Sequence, residues 1–133
     1  MSKGSFCDEI KTYADCYNFD VEIVYQNEVD LKEISFSLYQ EIFYLGGEVR
    51  DTSKMEFFNN TLPTLLVTKI RDFDNIRVFK YLSSLSVFGD VHSDIITLET
   101  ERQPINIYGI TKHKFDQFIL NESEMLNGLN VCA

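Results

Sequence analysis

The stretch DLKEISFSLYQEIFYLGG, residues 30–47, decides how the chain is read. Asp30 stands where a helix N-cap is expected, with Glu33 three positions on and Gly46-Gly47 as a stop signal. Leu31, Ile34, Leu38, Ile42 and Leu45 recur at helical spacing. Phe36, Tyr39 and Phe43 form a second stripe, roughly 130° away by the ~100° step of a helix. The pattern predicts a helix over residues 30–45 that is apolar on two faces. One face would pack on a sheet. The other needs a cover, because large apolar patches are rarely left bare. Both the terminal helices and a second chain could supply that cover.

Working outward, Ser5 and Asp8 open a helix whose Phe6, Ile10, Tyr13 and Tyr17 share one face, with Asn18 as a left-handed stop. Residues 19–26 alternate, with Phe19, Val21, Ile23 and Tyr25 on one side, and predict a strand. A broken strand is expected over 48–58 and a turn at Asn59-Asn60. A central strand follows over 61–70, with Pro63 at its start where the missing N–H is tolerated. Ile76, Phe79, Leu82 and Leu85 predict a helix after Asp74, closed by Gly89. Residues 95–102 read as a strand, and residues 105–110 as its hairpin partner after Gln103-Pro104. Thr111 would cap a helix containing Phe115, Phe118 and Ile119, and Asn121 with Glu124 a last one. The middle of this order is β-α-β-β-α-β. That is a ferredoxin-like α+β core, an antiparallel sheet with helices mainly on one face, with extra helices at both ends. Residues 1–133 are expected to form a single domain, which suits the length.

Charge narrows the function classes. Asp and Glu number 21 against 12 Lys and Arg, a net of −9. Residues 1–60 hold 12 acids and 5 bases, a net of −7. Such a surface repels phosphate backbones and anionic membranes and attracts basic proteins. Direct nucleic-acid binding and membrane binding are therefore not expected. Cys7, Cys16 and Cys132 show no short metal-type spacing, and no apolar leader or long apolar run appears. A reducing cytoplasm is the expected compartment.

Three local constellations could carry chemistry. On an extended segment Asp90, His92 and Asp94 share a face, and imidazole with carboxylates suits a divalent metal. Thr111, Lys112, His113 and Lys114 would open a helix, where backbone amides and two lysines could hold a phosphate or carboxylate. Phe36, Tyr39 and Phe43, rimmed by Glu33, Gln40 and Glu41, look like an apolar centre with an acidic edge. Thr61-Leu62-Pro63-Thr64-Leu65-Leu66-Val67 resembles the proline-containing strand entry of thioredoxin-like proteins, but no Cys-x-x-Cys exists to carry redox chemistry. Gly-x-Gly-x-x-Gly, Gly-x-x-x-x-Gly-Lys and Gly-x-Ser-x-Gly are also missing.

The leading expectation is a small acidic interaction protein that binds and inhibits a basic, nucleic-acid-handling protein, as an immunity protein or a viral anti-host factor would. Its surface would be Glu33, Phe36, Tyr39, Gln40, Glu41 and Phe43, with no cofactor. The alternative is a small-ligand domain, binding an anion, nucleotide or metal, or an enzyme. A self-assembling subunit, dimerising through the aromatic stripe, is a third reading.

Overall fold

The computed structural model of the protein describes residues 5–90, 95–97, 99–122, 126 and 130–132. The chain divides into two compact units, Met1–Asp30 and Leu31–Ala133.

In the first unit α1 spans Ser5–Tyr17. Asn18 takes φ 54°, and Phe19 N–H returns to the Ala14 carbonyl at 2.9 Å. That is the left-handed helix stop expected of Asn. Tyr13 and Tyr17 lie one turn apart with ring centroids at 4.5 Å. The strand expected over residues 19–26 is not formed. Phe19 is 62% and Val21 44% exposed, so the alternating pattern has no sheet to bury it.

The second unit is built on parallel pairing. Strand β1 (Glu41–Tyr44) is followed by α2 (Thr52–Glu56), a π-helical turn (Phe57–Thr61) and α3 (Leu62–Ile70). Strand β2 (Val78–Tyr81), α4 (Ile107–Asn121) and β3 (Asn130–Cys132) complete it, with 3-10 turns at Phe36–Leu38 and Leu85–Phe88. The sheet order is β1-β2-β3, and both pairs are parallel. Glu41 pairs with Val78, Tyr44 with Tyr81, and Val78 with Asn130. Parallel neighbours require long crossovers, which the helical run from Thr52 to Ile70 and α4 provide. This β-α-β-α-β order corrects the ferredoxin-like antiparallel core. The α+β class gives way to parallel α/β.

The stretch over residues 30–45 is not a two-faced helix but a 3-10 turn followed by β1. A short apolar run fits a helix stripe and a buried strand equally by periodicity, and the ladder to β2 decides. Residues 76–85 repeat the ambiguity, since Phe79 lies in β2 at 0% exposure. The supposed strands over 48–58 and 61–70 are instead one nearly continuous helical run. Pro63 sits in the first turn of α3, where its missing N–H costs little.

Pro63 also accounts for the π turn. Leu62 N–H reaches back five residues to the Phe57 carbonyl. In that register the next amide, at residue 63, would serve the Phe58 carbonyl, but proline has none. The Tyr44 hydroxyl donates to that carbonyl instead. The extra residue in the turn puts Asn59 inward, at 1% exposure. The core is aromatic: Phe115 meets Phe79 and Tyr81 edge to face, with the Tyr81 and Phe115 centroids at 4.8 Å.

Candidate active site

Parallel α/β sheets place ligands at the carboxyl ends of their strands. Here β1 ends into Leu45-Gly46-Gly47-Glu48, and β2 ends into Leu82-Ser83-Ser84. The amino-terminal half of α4 packs against these two loops.

Helix α4 starts earlier than its sequence suggests. Asn106 is the N-cap, and its side chain accepts from Gly109 N–H at 2.8 Å. Residues 105–110 are therefore not a hairpin strand. A Cβ on Gly109 would stand 2.3 Å from the Ser86 carbonyl oxygen, so only glycine lets this turn of α4 lie against the 3-10 turn after β2. That close approach seats the first turn of α4, which carries the half-buried Tyr108, against the 3-10 turn after β2.

Lys112 lies one turn after Tyr108 on the same helical face. It is 4% exposed, and its Nζ donates to the Leu82 carbonyl at 2.9 Å. Burial pushes its pKa down, and the Asp116 carboxylate partly opposes that. A Cβ on Gly47 would meet the same Nζ at 3.3 Å and Asn59 Oδ1 at 3.1 Å, so the ammonium stands at the end of β1 as well.

Asn59 ties the loop after β1 to α4. Its Oδ1 accepts from Glu48 N–H at 2.9 Å, while its Nδ2 donates to the Glu48 carbonyl at 2.9 Å and to Thr111 Oγ1 at 3.1 Å. Glu48 in turn accepts from the Arg50 and Asp51 amides, which hold its carboxyl below the usual range. Asp116, 3% exposed, accepts from the Tyr81 hydroxyl at 3.0 Å and the Ser83 hydroxyl at 2.8 Å. Ser84 caps the following 3-10 turn through Ser86 N–H.

The residues singled out by sequence fall apart accordingly. Of Thr111, Lys112, His113 and Lys114, the first two are buried at the strand ends. All four lie past the first turn of α4, so they do not form a helix-opening amide nest. His113 Nδ1 is buried without a hydrogen-bond partner among the described residues. Lys114 points elsewhere, to Glu56 at 2.8 Å. Asp90 is exposed, while His92 and Asp94 lie outside the described residues. Among the described residues no cluster of three or more His, Cys, Asp or Glu could hold a metal.

The acidic-rimmed stripe is dismantled. Phe36 is core at 2% exposure, Tyr39 is half-buried, and Glu33 and Gln40 are exposed. Phe43 is exposed under the Lys80 ammonium, 4.8 Å from its ring centroid, and Glu41 lies 3.9 Å from the same Lys80. Sequence reading missed Tyr108, Asn59 and Asp116. The available signal was Tyr108 four residues before Lys112, with Asp116 four further on, all on one face once Asn106 is taken as the cap.

Two buried phenols give the site's surroundings a pH signature. Burial raises the pKa of both Tyr44 and Tyr81, and Asp116 adds to the shift at Tyr81. A raised folded pKa means the folded state keeps its proton longer, so stability is intact below the ordinary value of about 10 and is lost as pH rises past it. Lys112 acts in the opposite sense at lower pH. Its lowered folded pKa makes stability rise with pH until the unfolded lysine also titrates, near 10.4. Urea midpoints should therefore climb toward pH ~10 and fall above it. Ultraviolet titration should find two phenols that ionise only with alkaline unfolding. A midpoint still rising well above pH ~10.5 would contradict this assignment.

No family model matches the sequence. No curated protein matches it either. Solved structures do. The UDP-Glc/GlcNAc 4-epimerase of Campylobacter jejuni superposes with a TM-score of 0.73 at 18% identity over 99% of this chain and 42% of that one. RMD from Pseudomonas aeruginosa, complexed with NADPH, gives 0.67 at 22% identity over 97% of this chain and 50% of that one. A tyrosine-to-phenylalanine variant of the Bacillus cereus UDP-glucuronic acid 4-epimerase, in complex with UDP-4-deoxy-4-fluoro-glucuronic acid and NAD, gives 0.67 at 14% identity over 94% and 41%. The chain thus spans half or less of the length of each of these structures. These likenesses overturn the reading of an inhibitor, immunity protein or viral anti-host factor, whose two-faced helix does not exist. No helix among the described residues is long and apolar enough to cross a membrane. The fold is the Rossmann-like parallel α/β arrangement seen in sugar-nucleotide epimerases.

Proposed function

We propose that this chain carries the proton-transfer site of a nicotinamide-dependent enzyme acting on a nucleotide sugar, with Tyr108 as general acid and base. The observation that supports it most is Lys112. A nearly inaccessible ammonium is anchored to the Leu82 carbonyl at the carboxyl end of β2, one helical turn from a tyrosine. Burying a cation is costly unless it serves a partner or a reaction. At this position it would stabilise negative charge on the Tyr108 oxygen as a substrate hydroxyl gives up or regains its proton. Ser83 and Ser84, on the loop after β2, would supply hydroxyls to orient that substrate.

The dinucleotide fits this chain in part. At the end of β1 a Gly47 Cβ would meet Asn59 Oδ1 at 3.1 Å and Lys112 Nζ at 3.3 Å, and this polar cradle suits the ribose end of such a cofactor. The glycine-rich turn that cradles a pyrophosphate is missing from these 133 residues. A bound nicotinamide dinucleotide would supply the hydride acceptor, and the residues named here move only the proton.

The test is incubation with UDP-glucose and saturating NAD, with UDP-galactose read by chromatography and UDP-sugar binding by saturation-transfer NMR. Binding with turnover is the expected result. Neither at millimolar UDP-sugar would sink the reading. Lys112→Met should lower kcat by at least about 100-fold, the scale of losing one charge-stabilising donor. The thermal midpoint should fall as well, because the substitution leaves the Leu82 carbonyl without its donor and the buried Asp116 carboxylate without its cation. A Lys112→Met protein that turns over normally would exclude the role given to the ammonium.

A further inference from the structure

We infer that Asp116 is a positioning residue, whose buried carboxylate holds the strand-end loop through Tyr81 and Ser83 and serves as the counter-charge of Lys112. The inference rests on the proposed proton-transfer site and adds to it the group that keeps its cation charged.

Asp116 lies four residues after Lys112, so the two side chains share the inner face of α4. At 3% exposure it has little access to water, and a carboxylate in that setting needs donors. It has two: the Tyr81 hydroxyl at 3.0 Å and the Ser83 hydroxyl at 2.8 Å. Both belong to the end of β2 and the loop that follows, on either side of the Leu82 carbonyl that receives Lys112 Nζ at 2.9 Å. One carboxylate thus grips residues 81 and 83 while the lysine grips residue 82. The strand end is fixed to α4 at three consecutive positions, and Ser84 follows directly.

The other charged groups near Lys112 are engaged elsewhere. Glu48, after β1, accepts from the Arg50 and Asp51 amides. Glu56, in α2, pairs with Lys114 at 2.8 Å. Asn59, in the π turn, is neutral. Arg102 acts on Tyr81 and lies over the Phe88 ring, 5.9 Å from its centroid. Among the described residues the Asp116 carboxylate is what remains to oppose the burial that drives Lys112 toward its neutral form.

The test follows the Lys112 Cε resonance against pH in the whole chain, assigned with Lys112→Arg. Asp116→Asn should lower the Lys112 midpoint by about one pH unit, a tenfold change in its proton affinity. Asp116→Glu should restore most of it. A midpoint unchanged in Asp116→Asn, or equally lowered in Asp116→Glu, would overturn the inference. Should Asp116→Asn fail to fold, Asp116→Ser is read in the same way, and an unchanged Lys112 midpoint overturns the coupling. Neither readout depends on turnover. Loss of the coupling with intact Tyr108-dependent activity refutes the Asp116 role alone. Intact coupling with no activity refutes the proposed reaction alone.

Discussion

Tyr108→Phe should reduce kcat for UDP-hexose conversion by about 100- to 10,000-fold, the range for removing a general acid–base group. Affinity for the UDP-sugar should stay within a few-fold of the parent value. The substitution removes one oxygen and keeps the ring. The half-buried ring keeps its place in the first turn of α4, because Gly109 and the Asn106 cap set that turn through contacts that do not involve the phenol. Thr111 Oγ1 continues to donate to the residue 108 carbonyl, at 2.9 Å in the parent. Stability should change by no more than about 1 kcal/mol, the usual net worth of one hydrogen bond. A kcat effect without a binding effect identifies a group that works in the transition state. A phenylalanine variant turning over at the parent rate would remove Tyr108 from the chemistry.

Asn59→Leu should be among the most costly single changes to stability, at about 2–3 kcal/mol. Leucine is close to asparagine in shape, so the loss is chiefly polar. It strips Glu48 N–H and the Glu48 carbonyl of their partners and leaves Thr111 Oγ1 without one of its own. A buried group left unsatisfied costs ~1–3 kcal/mol, and the part-buried Glu48 groups can recruit some water, which keeps the sum below the maximum. The neighbouring residue is the control. Asn60 makes an exposed bond to Glu56, and Asn60→Leu should stay within about 0.5 kcal/mol. Urea midpoints with an unchanged slope would measure both. Equal effects at 59 and 60 would mean that the clamp contributes nothing. Against a typical stability of ~5–15 kcal/mol the Asn59 effect is large.

What the sequence made legible was local and covalent in origin. The first helix and its Asn18 stop could be read because the helical stripe runs directly into a left-handed residue. Residues 30–47 misled for the converse reason. Glu41, Ile42, Phe43 and Tyr44 satisfy a helix stripe and a strand equally, and what selects the strand is Val78 to Tyr81, nearly forty residues away. Parallel pairing is non-local by construction, so a single window cannot contain its signal. Pro63 was read as a strand entry because its flanks are β-branched or leucine, yet it is as well suited to a first helical turn. The site was half visible. Lys112 drew notice as a cation in an acidic protein, but as part of a solvent-facing cluster. Its partner Tyr108 was assigned to a hairpin because Ile105, Ile107 and Gly109 alternate, and the Asn106 cap outweighs that alternation. Asn59 lay in a dipeptide that commonly marks turns, and the fold uses it inside a helical run instead.

The widened turn between α2 and α3 has an evolutionary reading. Taking a single residue out of it would return the helix to its regular pitch and, by propensity alone, improve it. The same excision would swing every downstream side chain by about 100° and carry the amide of residue 59 off the loop it now clasps. Length in this segment is therefore under tighter selection than composition. Relatives that keep the chemistry should tolerate exchanges at the exposed Phe57 and Leu65 while admitting no gaps between them.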